Sequence, residues 1–460
     1  MAPLLAVALL TAAQVGADAP HAITVDTSTR HQTIEHFGAS GAWWAQHVGG
    51  WEDDARDRVV ALLFDREAGA GLSLYRYNIG AGSGEEIGDP WRRAETFEVA
   101  PGEYDWSRDG NAVWALKAAV AAGVEHFVVF ANSPPARMTE SGKVSGAEYG
   151  RSNLRTDMHD DFARYLVDVT RHLREVKGVP IGWISPINEP LWEWEGGGQE
   201  GCHYTAKECI AVTKALLRAI DGAGIDVKAD IIEAPLWRGA GMLYVGPMLR
   251  DETLSAAIGH FSIHSYWSTR EQKRAEAELI REYFPDLRLW MSEWTEMKGG
   301  RDLGMDSALV MANVIHDDLT VASVTSWQYW IAVSRYNFRD GLIYVDEDTH
   351  AVHETKRLWT MAAYSRLVRP GYARVEATID SADLRVSAFV SPDGDESVVV
   401  AINNGDEPVS VTPPHVGGAD SMTVYETSAA HDLATVYSGV RPTTLTLPAR
   451  SVSAIVSSGR

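Results

Sequence analysis

Two glutamates in tryptophan-rich segments are the residues of this chain best suited to chemistry. Glu189 lies in the segment 183–190 (WISPINEP), and Glu293 lies in the segment 289–294 (LWMSEW). Each comes at the end of a short apolar run that is typical of a buried strand. A single glutamate after a strand is usually structural, but cleavage of a glycosidic bond needs two carboxyl groups held on opposite sides of that bond. The pair therefore predicts glycosidic bond cleavage.

The neighbours of Glu189 fit the role of a general acid. Such an acid must stay protonated near neutral pH, which a partly desolvated pocket and a second carboxylate can achieve. The side-chain amide of Asn188 is suited to a hydrogen bond with a sugar hydroxyl. Pro190 has no amide hydrogen and ends the strand. The alternative is that Asn188, Glu189 and Pro190 only form a strand-ending turn.

Glu293 is then the nucleophile, which must be ionised and needs hydrogen-bond donors. Arg76 near the end of the second predicted strand and Tyr266 beyond the sixth are candidate donors. His264 alternates with Tyr266 and is a candidate for the same pocket. The alternatives are a structural ion pair for Arg76, a core tyrosine for Tyr266 and a core histidine for His264.

The sequence contains 16 tryptophans, and many of them follow a predicted strand. A flat aromatic ring buries the apolar C–H face of a sugar and leaves its hydroxyls free, so this pattern predicts a carbohydrate cleft. We expect about half of these tryptophans to face it, and choose four as substrate-binding: Trp43, Trp44, Trp237 and Trp327. Other carboxylates near this rim are expected to be solvated surface charges: Glu85, Glu86, Glu193, Glu195, Glu233 and Glu296.

Eight strand-like runs alternate with helical patterns between residues 35 and 328. They are His36–Ala39, Leu72–Asn78, His126–Ala131, Ile181–Ile187, Val227–Glu233, His260–His264, Arg288–Ser292 and Ala322–Gln328. This alternation predicts an α/β fold, namely a (β/α)8 TIM barrel over 35–368. A doubly wound open sheet is the alternative, but no glycine-rich dinucleotide loop follows the first strand.

The pattern of apolar and turn-forming residues changes after residue 368. Short alternating runs are separated by Pro, Gly, Asp and Asn, which is typical of an antiparallel β-sandwich. We therefore expect a side domain of this type at 369–460, joined by an N-terminal strand from 20–34. Its predicted strands are Ala373–Ile379, Leu384–Val390, Ser397–Asn403, Val409–Thr412, Ser421–Glu426, Thr443–Leu447 and Val452–Val456.

The composition limits the partners and the location. The net charge of −22 argues against nucleic acid and anionic membranes as partners, and is compatible with a neutral polymer. Residues 1–19 resemble a signal peptide and predict secretion, although no Lys or Arg precedes Arg30. Cys202 and Cys209 either form a disulfide that closes a surface loop or stay unpaired. No metal or cofactor motif is found, and a monomer is expected.

Taken in order, these segments resemble glycoside hydrolase family 30, a family of retaining (β/α)8-barrel glycosidases. The resemblance spans nearly the whole chain. The segments that carry it are 37–43 (FGASGAW), 74–80 (LYRYNIG), 131–135 (ANSPP), 187–190 (INEP), 264–266 (HSY), 292–294 (SEW), 327–328 (WQ) and 364–371 (YSRLVRPG).

The resemblance implies that Glu189 is the acid/base and Glu293 the nucleophile. It also implies that Asn188 binds the sugar, that Tyr266 and Arg76 position the nucleophile, and that Trp327 forms the floor of the sugar site. Arg137 stands near a position where the family often has tryptophan, which puts stacking on that side in doubt.

The run from Gly38 to Trp44 is most similar to the endo-β-1,6-galactanase branch of the family, which acts on arabinogalactan side chains. Xylanase, β-1,6-glucanase and glucosylceramidase branches share the catalytic pair and remain alternatives. An alternative of another class is a non-catalytic carbohydrate-binding protein.

Overall fold

The computed structural model describes residues 19–52 and 54–459. The expected signal peptide lies outside the described residues except for Ala19. Within these residues, eight parallel strands follow one another in chain order around one sheet, and the eighth pairs with the first. They are His36–Ser40, Leu74–Asn78, His126–Phe130, Ile181–Ser185, Lys228–Ala229, His260–Ile263, Arg288–Met291 and Ser326–Ser334.

The segment after the fifth strand contacts the sixth strand. A parallel bridge joins Ala234 to Ile263, and the amide of Ser262 donates to the carbonyl of Ile231 at 2.7 Å. The segment that follows the fifth strand thus supplies a hydrogen-bonded neighbour for the sixth strand.

Every predicted run overlaps one of these strands, and the ends differ most at the fifth and the eighth. The fifth strand keeps regular pairing only over Lys228–Ala229. The eighth begins later than predicted, at Ser326, because Asp318–Ala322 forms a π-helical turn instead.

The strands are buried on both faces, which explains their almost continuous apolar sequence. Leu74 and Val128 pack inside with Trp290 and Trp183. Their neighbours Tyr75 and Val129 belong to the larger core shared with the helices. The α-helices are Ala45–Val48, Asp54–Phe64, Gly110–Ala121, His159–Glu175, Ala206–Ala223, Gly246–Leu249, Glu252–Ala257, Arg270–Tyr283, Met305–Asp317 and Lys356–Ser365.

Local sequence signals account for several helix ends. Thr205 and Glu208 form a reciprocal capping box at the start of Ala206–Ala223, as the sequence predicts. The helix His159–Glu175 buries Phe162, Leu166 and Val169 on one face, and the chain leaves it through Gly178 at φ 76°. In the described residues, no helix is long and apolar enough to span a bilayer.

Two further sheets are built mainly from the C-terminal part of the chain. The larger runs in the order Thr24–Thr33, Ala373–Thr378, Leu384–Val390, Glu396–Asn403, Ser451–Ser458, Ser421–Thr427 and Ala434–Val440. The smaller consists of His21–Ala22, Val409–Thr412 and Leu445–Leu447. Ala434–Val440 is an exposed edge strand that the sequence did not predict, because an edge strand without a buried face lacks alternating apolar residues.

The larger of these sheets is covered on both faces. Val399 packs with Val411 and Leu447 of the smaller sheet, whereas Val398 and Val400 join the main core. The alternation follows from the two-residue period of a strand. Short strands at the rim of the parallel sheet complete the structure: Glu98–Ala100 with Glu103–Tyr104, and Gly341–Val345 with Val352–Glu354.

Candidate active site

Polar side chains converge where the parallel strands end. Because the C-terminal ends of parallel strands meet at one edge of the sheet, residues far apart in sequence become neighbours there. The contributors, in strand order, are Arg76, Asn132, Asn188, Glu189, Glu233, His264, Tyr266, Glu293 and Trp330.

Glu189 and Glu293 face each other across His264. An oxygen of one carboxyl group lies within 4.8 Å of an oxygen of the other. The Nδ1 atom of His264 lies 2.9 Å from Glu189 Oε1 and 3.6 Å from Glu293 Oε1. Retaining glycosidases hold their two carboxyl groups roughly 5–5.5 Å apart, and inverting enzymes hold them farther apart. This spacing is of the retaining kind.

Glu293 receives the donors that the sequence predicted for it. Arg76 donates from Nη1 to Glu293 Oε2 at 2.7 Å, and the hydroxyl of Tyr266 donates to Glu293 Oε1 at 3.0 Å. Arg76 also donates from Nη2 to Asn188 Oδ1 at 3.0 Å. Its guanidinium lies over the ring of Phe130, 3.6 Å from the centroid. The nucleophile candidate is thus fixed from two sides.

Glu233 is a member of the site that sequence reasoning missed. It was expected to be a solvated surface charge, but its side chain is fully buried. It accepts hydrogen bonds from Arg76, Ser185 and His264. Burial opposes its ionisation, yet Arg76 and His264 together lower the pKa of Glu233 to about 2. The available signal was its place at the end of the fifth predicted run, which matches the places of Glu189 and Glu293.

His264 is a cation in this setting. Burial alone lowers the pKa of an imidazole, but the facing carboxylates Glu293, Glu189 and Glu233 raise the pKa of His264 to about 10. Burial also raises the pKa of Glu293, while His264 and Arg76 act in the opposite direction. In this part of the site two cations face three carboxyl groups, so the charges balance when one carboxyl group keeps a proton.

The same charges argue against a metal ion at this position. Glu189, His264 and Glu293 are close enough together to hold one. A protonated imidazole has no lone pair to donate, however, and Arg76 already neutralises Glu293. These donors therefore do not fit a metal site.

A chain of amides extends the site toward the neighbouring strands. Asn188 donates from Nδ2 to Asn132 Oδ1 at 3.1 Å, and Asn132 donates from Nδ2 to Asn78 Oδ1 at 3.3 Å. Asn132 and Asn78 were not singled out from the sequence, although both lie in segments that carry the family resemblance. This series of hydrogen bonds fixes the side-chain amide of Asn188 in the pocket.

The tryptophan predictions need correction. Trp44, Trp237 and Trp327 are completely buried. Their indole N–H groups donate to Ser40 O, Ser265 Oγ and Asp318 Oδ2 respectively. A ring enclosed on both faces cannot stack on a sugar, so these three are packing residues rather than substrate-binding ones.

Trp43 remains beside the site. It contacts Trp330 edge to face, with ring centroids 5.3 Å apart, and the guanidinium of Arg92 lies 4.8 Å from its centroid. Trp330 in turn lies 5.8 Å from the guanidinium of Arg76. Trp330 therefore takes the place near the carboxyl groups that was assigned to Trp327.

Several residues at or beside the catalytic carboxyl groups have a left-handed backbone conformation. Glu189, Trp194, Glu233 and Trp267 all have positive φ, between 46° and 59°. Such conformations are unfavourable for residues with a Cβ atom and tend to mark functional sites.

Two other sequence features have structural rather than catalytic roles. Arg137 forms a bidentate pair with Glu98, with distances of 2.8 and 2.6 Å. Cys202 and Cys209 are both buried free thiols, so of the two alternatives the structure has the unpaired one and not a disulfide.

Paired carboxyl groups at the ends of parallel strands define this protein as a glycoside hydrolase. Residues 20–344 match the model of O-Glycosyl hydrolase family 30, and the chain belongs to that family. The resemblance drawn from the sequence is thereby confirmed.

Several known proteins are similar over most of the chain. An endo-β-1,6-galactanase of Hypocrea rufa is 23% identical over 441 residues, which cover 87% of this chain and 86% of that protein. The glucuronoxylanase XynC of Bacillus subtilis (strain 168) is 26% identical over 334 residues, 70% of each chain. A conserved exported protein from Bacteroides fragilis has a solved structure that superposes with a TM-score of 0.85 at 28% identity, covering 95% of this chain and all of that one.

Proposed function

We propose that this protein is a retaining endo-β-glycosidase that cleaves β-1,6-linked galactan, as found in arabinogalactan side chains. The observation that supports this type of reaction is the pair Glu189 and Glu293. Their carboxyl oxygens lie within 4.8 Å of each other, and both side chains are buried. The similarity to an endo-β-1,6-galactanase over 441 residues supports the substrate.

The reaction then has two steps. Glu293 attacks the anomeric carbon, and the glycosidic C–O bond breaks as Glu189 gives its proton to the leaving oxygen. In the second step Glu189 takes a proton from water, and the resulting hydroxide displaces Glu293 from the sugar. The anomeric configuration is inverted twice and is therefore retained.

The surrounding residues keep the two glutamates in different states. Arg76 and Tyr266 donate to Glu293 and favour its ionised form and fixed orientation. Glu189 receives one charged donor, His264. We assign the acid role to Glu189 because it has fewer hydrogen-bond donors than Glu293 to stabilise an ionised form.

We further propose that the parallel sheet is a closed (β/α)8 barrel, with a β-sandwich formed by 20–34 and 369–460. The bridge between Ala234 and Ile263 and the pairing of the eighth strand with the first support closure. The shared apolar cluster of the two C-terminal sheets supports the sandwich.

The protein is proposed to be secreted, monomeric and directed at a neutral polysaccharide. The apolar run in residues 1–19 supports secretion, and the net charge of −22 argues against nucleic acid and anionic membranes as partners. A polymer too large to enter the cell would require an extracellular enzyme.

A product assay on defined polysaccharides tests these proposals. Wild-type protein is incubated with β-1,6-galactan, glucuronoxylan, β-1,6-glucan and aryl β-glycosides. Early release of short β-1,6-galacto-oligosaccharides is expected, with the β anomer first in NMR spectra. Preferred release from xylan or glucan would reassign the substrate within the family, and an α anomer first would contradict retention.

The variant Glu293→Gln separates an enzyme from a carbohydrate-binding protein. It should fold normally and lose nearly all turnover while it still binds the polysaccharide. Absence of turnover in the wild type, with binding intact, would favour the binding protein.

A further inference from the structure

The exposed Trp267 and the half-buried Trp192 form an aromatic pair beside the catalytic carboxyl groups. Their rings meet edge to face, with centroids 5.9 Å apart and planes at 89°. Trp267 is 64% exposed, whereas Trp294 and Trp330 are buried. An exposed aromatic ring beside a polar pocket offers a flat apolar face on which a sugar can stack.

Both residues are tied by the backbone to the catalytic groups. The amide of Trp192 donates to the carbonyl of Glu189 at 3.2 Å. Trp267 directly follows Tyr266, which donates to Glu293, and the two rings have centroids 5.5 Å apart. The aromatic pair is therefore held at a fixed place just outside the pocket.

The backbone of Trp267 adds a second feature, an unfavourable conformation. Its φ is 46°, in the left-handed region that residues with a Cβ atom seldom adopt. Neither burial of the side chain nor local backbone preference explains why this indole points outward. A ligand that binds the indole would explain both features.

We propose that Trp192 and Trp267 bind the leaving-group part of the polysaccharide, the sugars on the reducing-end side of the scissile bond. This inference rests on the proposed glycosidase function, with Glu189 as the acid. The leaving oxygen must lie next to the acid that protonates it, so the departing chain passes the loop that carries Glu189 and Trp192. Two rings at a right angle suit sugars joined by a flexible linkage, because successive rings then differ in orientation.

Single substitutions at the aromatic pair test this role. The variants are Trp267→Ala, Trp192→Ala and Trp267→Phe, which keeps an aromatic face. The matched control is Tyr283→Ala: Tyr283 is 65% exposed but ends the helix Arg270–Tyr283, whose last turn precedes the start of the next strand, away from the strand ends that carry the site.

Two substrates with the same glycone separate the leaving-group side from the rest of the site. One is a β-1,6-galacto-oligosaccharide of four or more units, and the other is β-galactosyl fluoride, whose single-atom leaving group does not reach the aromatic pair. Loss of the stacking surface of Trp267 should lower kcat/KM about tenfold on the oligosaccharide. The rate on the fluoride should change by less than about twofold. Trp267→Phe should recover most of the loss on the oligosaccharide, and Tyr283→Ala should match the wild type.

A second assay does not depend on which polymer the enzyme prefers. A retaining enzyme transfers its glycosyl group to an added sugar that occupies the leaving-group side. With β-galactosyl fluoride as donor and β-1,6-galactobiose as acceptor, Trp267→Ala should form about tenfold less transfer product while hydrolysis of the fluoride is unchanged.

The outcomes distinguish the two proposals. Equal losses on both substrates, or unchanged transfer, would overturn the role of Trp192 and Trp267 while leaving the glycosidase intact. A wild-type protein without turnover on any glycoside would overturn the proposed function, and the inference with it.

Discussion

Arg76 and Glu233 form an ion pair with 2.5 Å between Nη2 and Oε2, and neither side chain is open to solvent. They come from the second and fifth parallel segments and are 157 residues apart in the chain. The pair holds Arg76 in the position from which it donates to Glu293. A charge outside the reacting pair thus positions the candidate nucleophile.

Removal of this buried charge should destabilise the protein. Glu233→Gln leaves Arg76 and His264 with one carboxylate fewer, which is expected to cost about 3 kcal/mol in unfolding free energy. Urea denaturation measures the change. Glu296→Gln is the matched control, because Glu296 pairs with Arg339 nearer the surface and should cost less than about 1 kcal/mol. Similar costs for both variants would show that Arg76 does not depend on Glu233.

Activity should fall in Glu233→Gln for a related reason. Arg76 and His264 both contact Glu233 and a reacting carboxyl group. We expect kcat to fall by more than tenfold even at temperatures where the variant is folded. A variant that is less stable but fully active would restrict Glu233 to a structural role.

The acid/base role of Glu189 predicts a dependence on the leaving group. Glu189→Ala should lose roughly 10²–10⁴-fold in kcat/KM on oligosaccharides, since their alkoxide leaving group requires a proton. Aryl glycosides with a good leaving group need no proton, so their first step should be nearly unchanged. Stopped-flow release of the aryl group measures that step. Glu193→Ala, an exposed glutamate on the same loop, is the control, and equal losses on both substrates would contradict the role.

His316 predicts a loss of stability in acid. It is buried beside Arg385, Arg270 and Arg374, and burial together with these cations lowers the pKa of His316 to about 3. The unfolded chain binds the proton below about pH 6.5, while the folded protein does not. Stability is therefore present above pH 6.5 and falls as the pH drops toward 3, by up to about 1.4 kcal/mol per pH unit.

Urea denaturation at pH 7 and pH 5 measures this contribution. In His316→Gln the difference in unfolding free energy between the two pH values should be smaller than in the wild type by about 2 kcal/mol. An unchanged difference would mean that His316 does not supply this pH dependence.

The two cysteines should be unreactive in the folded protein. Burial raises the pKa of Cys202 to about 11 and also raises the pKa of Cys209. A thiol-specific reagent at pH 8 should therefore label neither in buffer and both in urea. Labelling of neither thiol in urea without reductant would reveal a disulfide and contradict the structure.

The sequence alone located the chemistry and the elements that carry it. The runs before Glu189 and Glu293 are apolar over most of their length because a parallel strand is buried on both faces, and such runs are visible without coordinates. The alternation of strands and helices indicated that these runs end at one edge of a sheet. Asn188, Arg76, Tyr266 and His264 could be chosen because their positions relative to the strand ends are local information.

Only the tertiary structure decided which side chains are enclosed and which are open. Trp237 and Trp267 both follow strands, yet one is buried and the other is 64% exposed. Glu233 looked like a surface charge until Arg76 and His264 appeared on either side of it. Burial and charge pairing depend on neighbours from distant parts of the chain, and these neighbours are fixed by how the strands pack together.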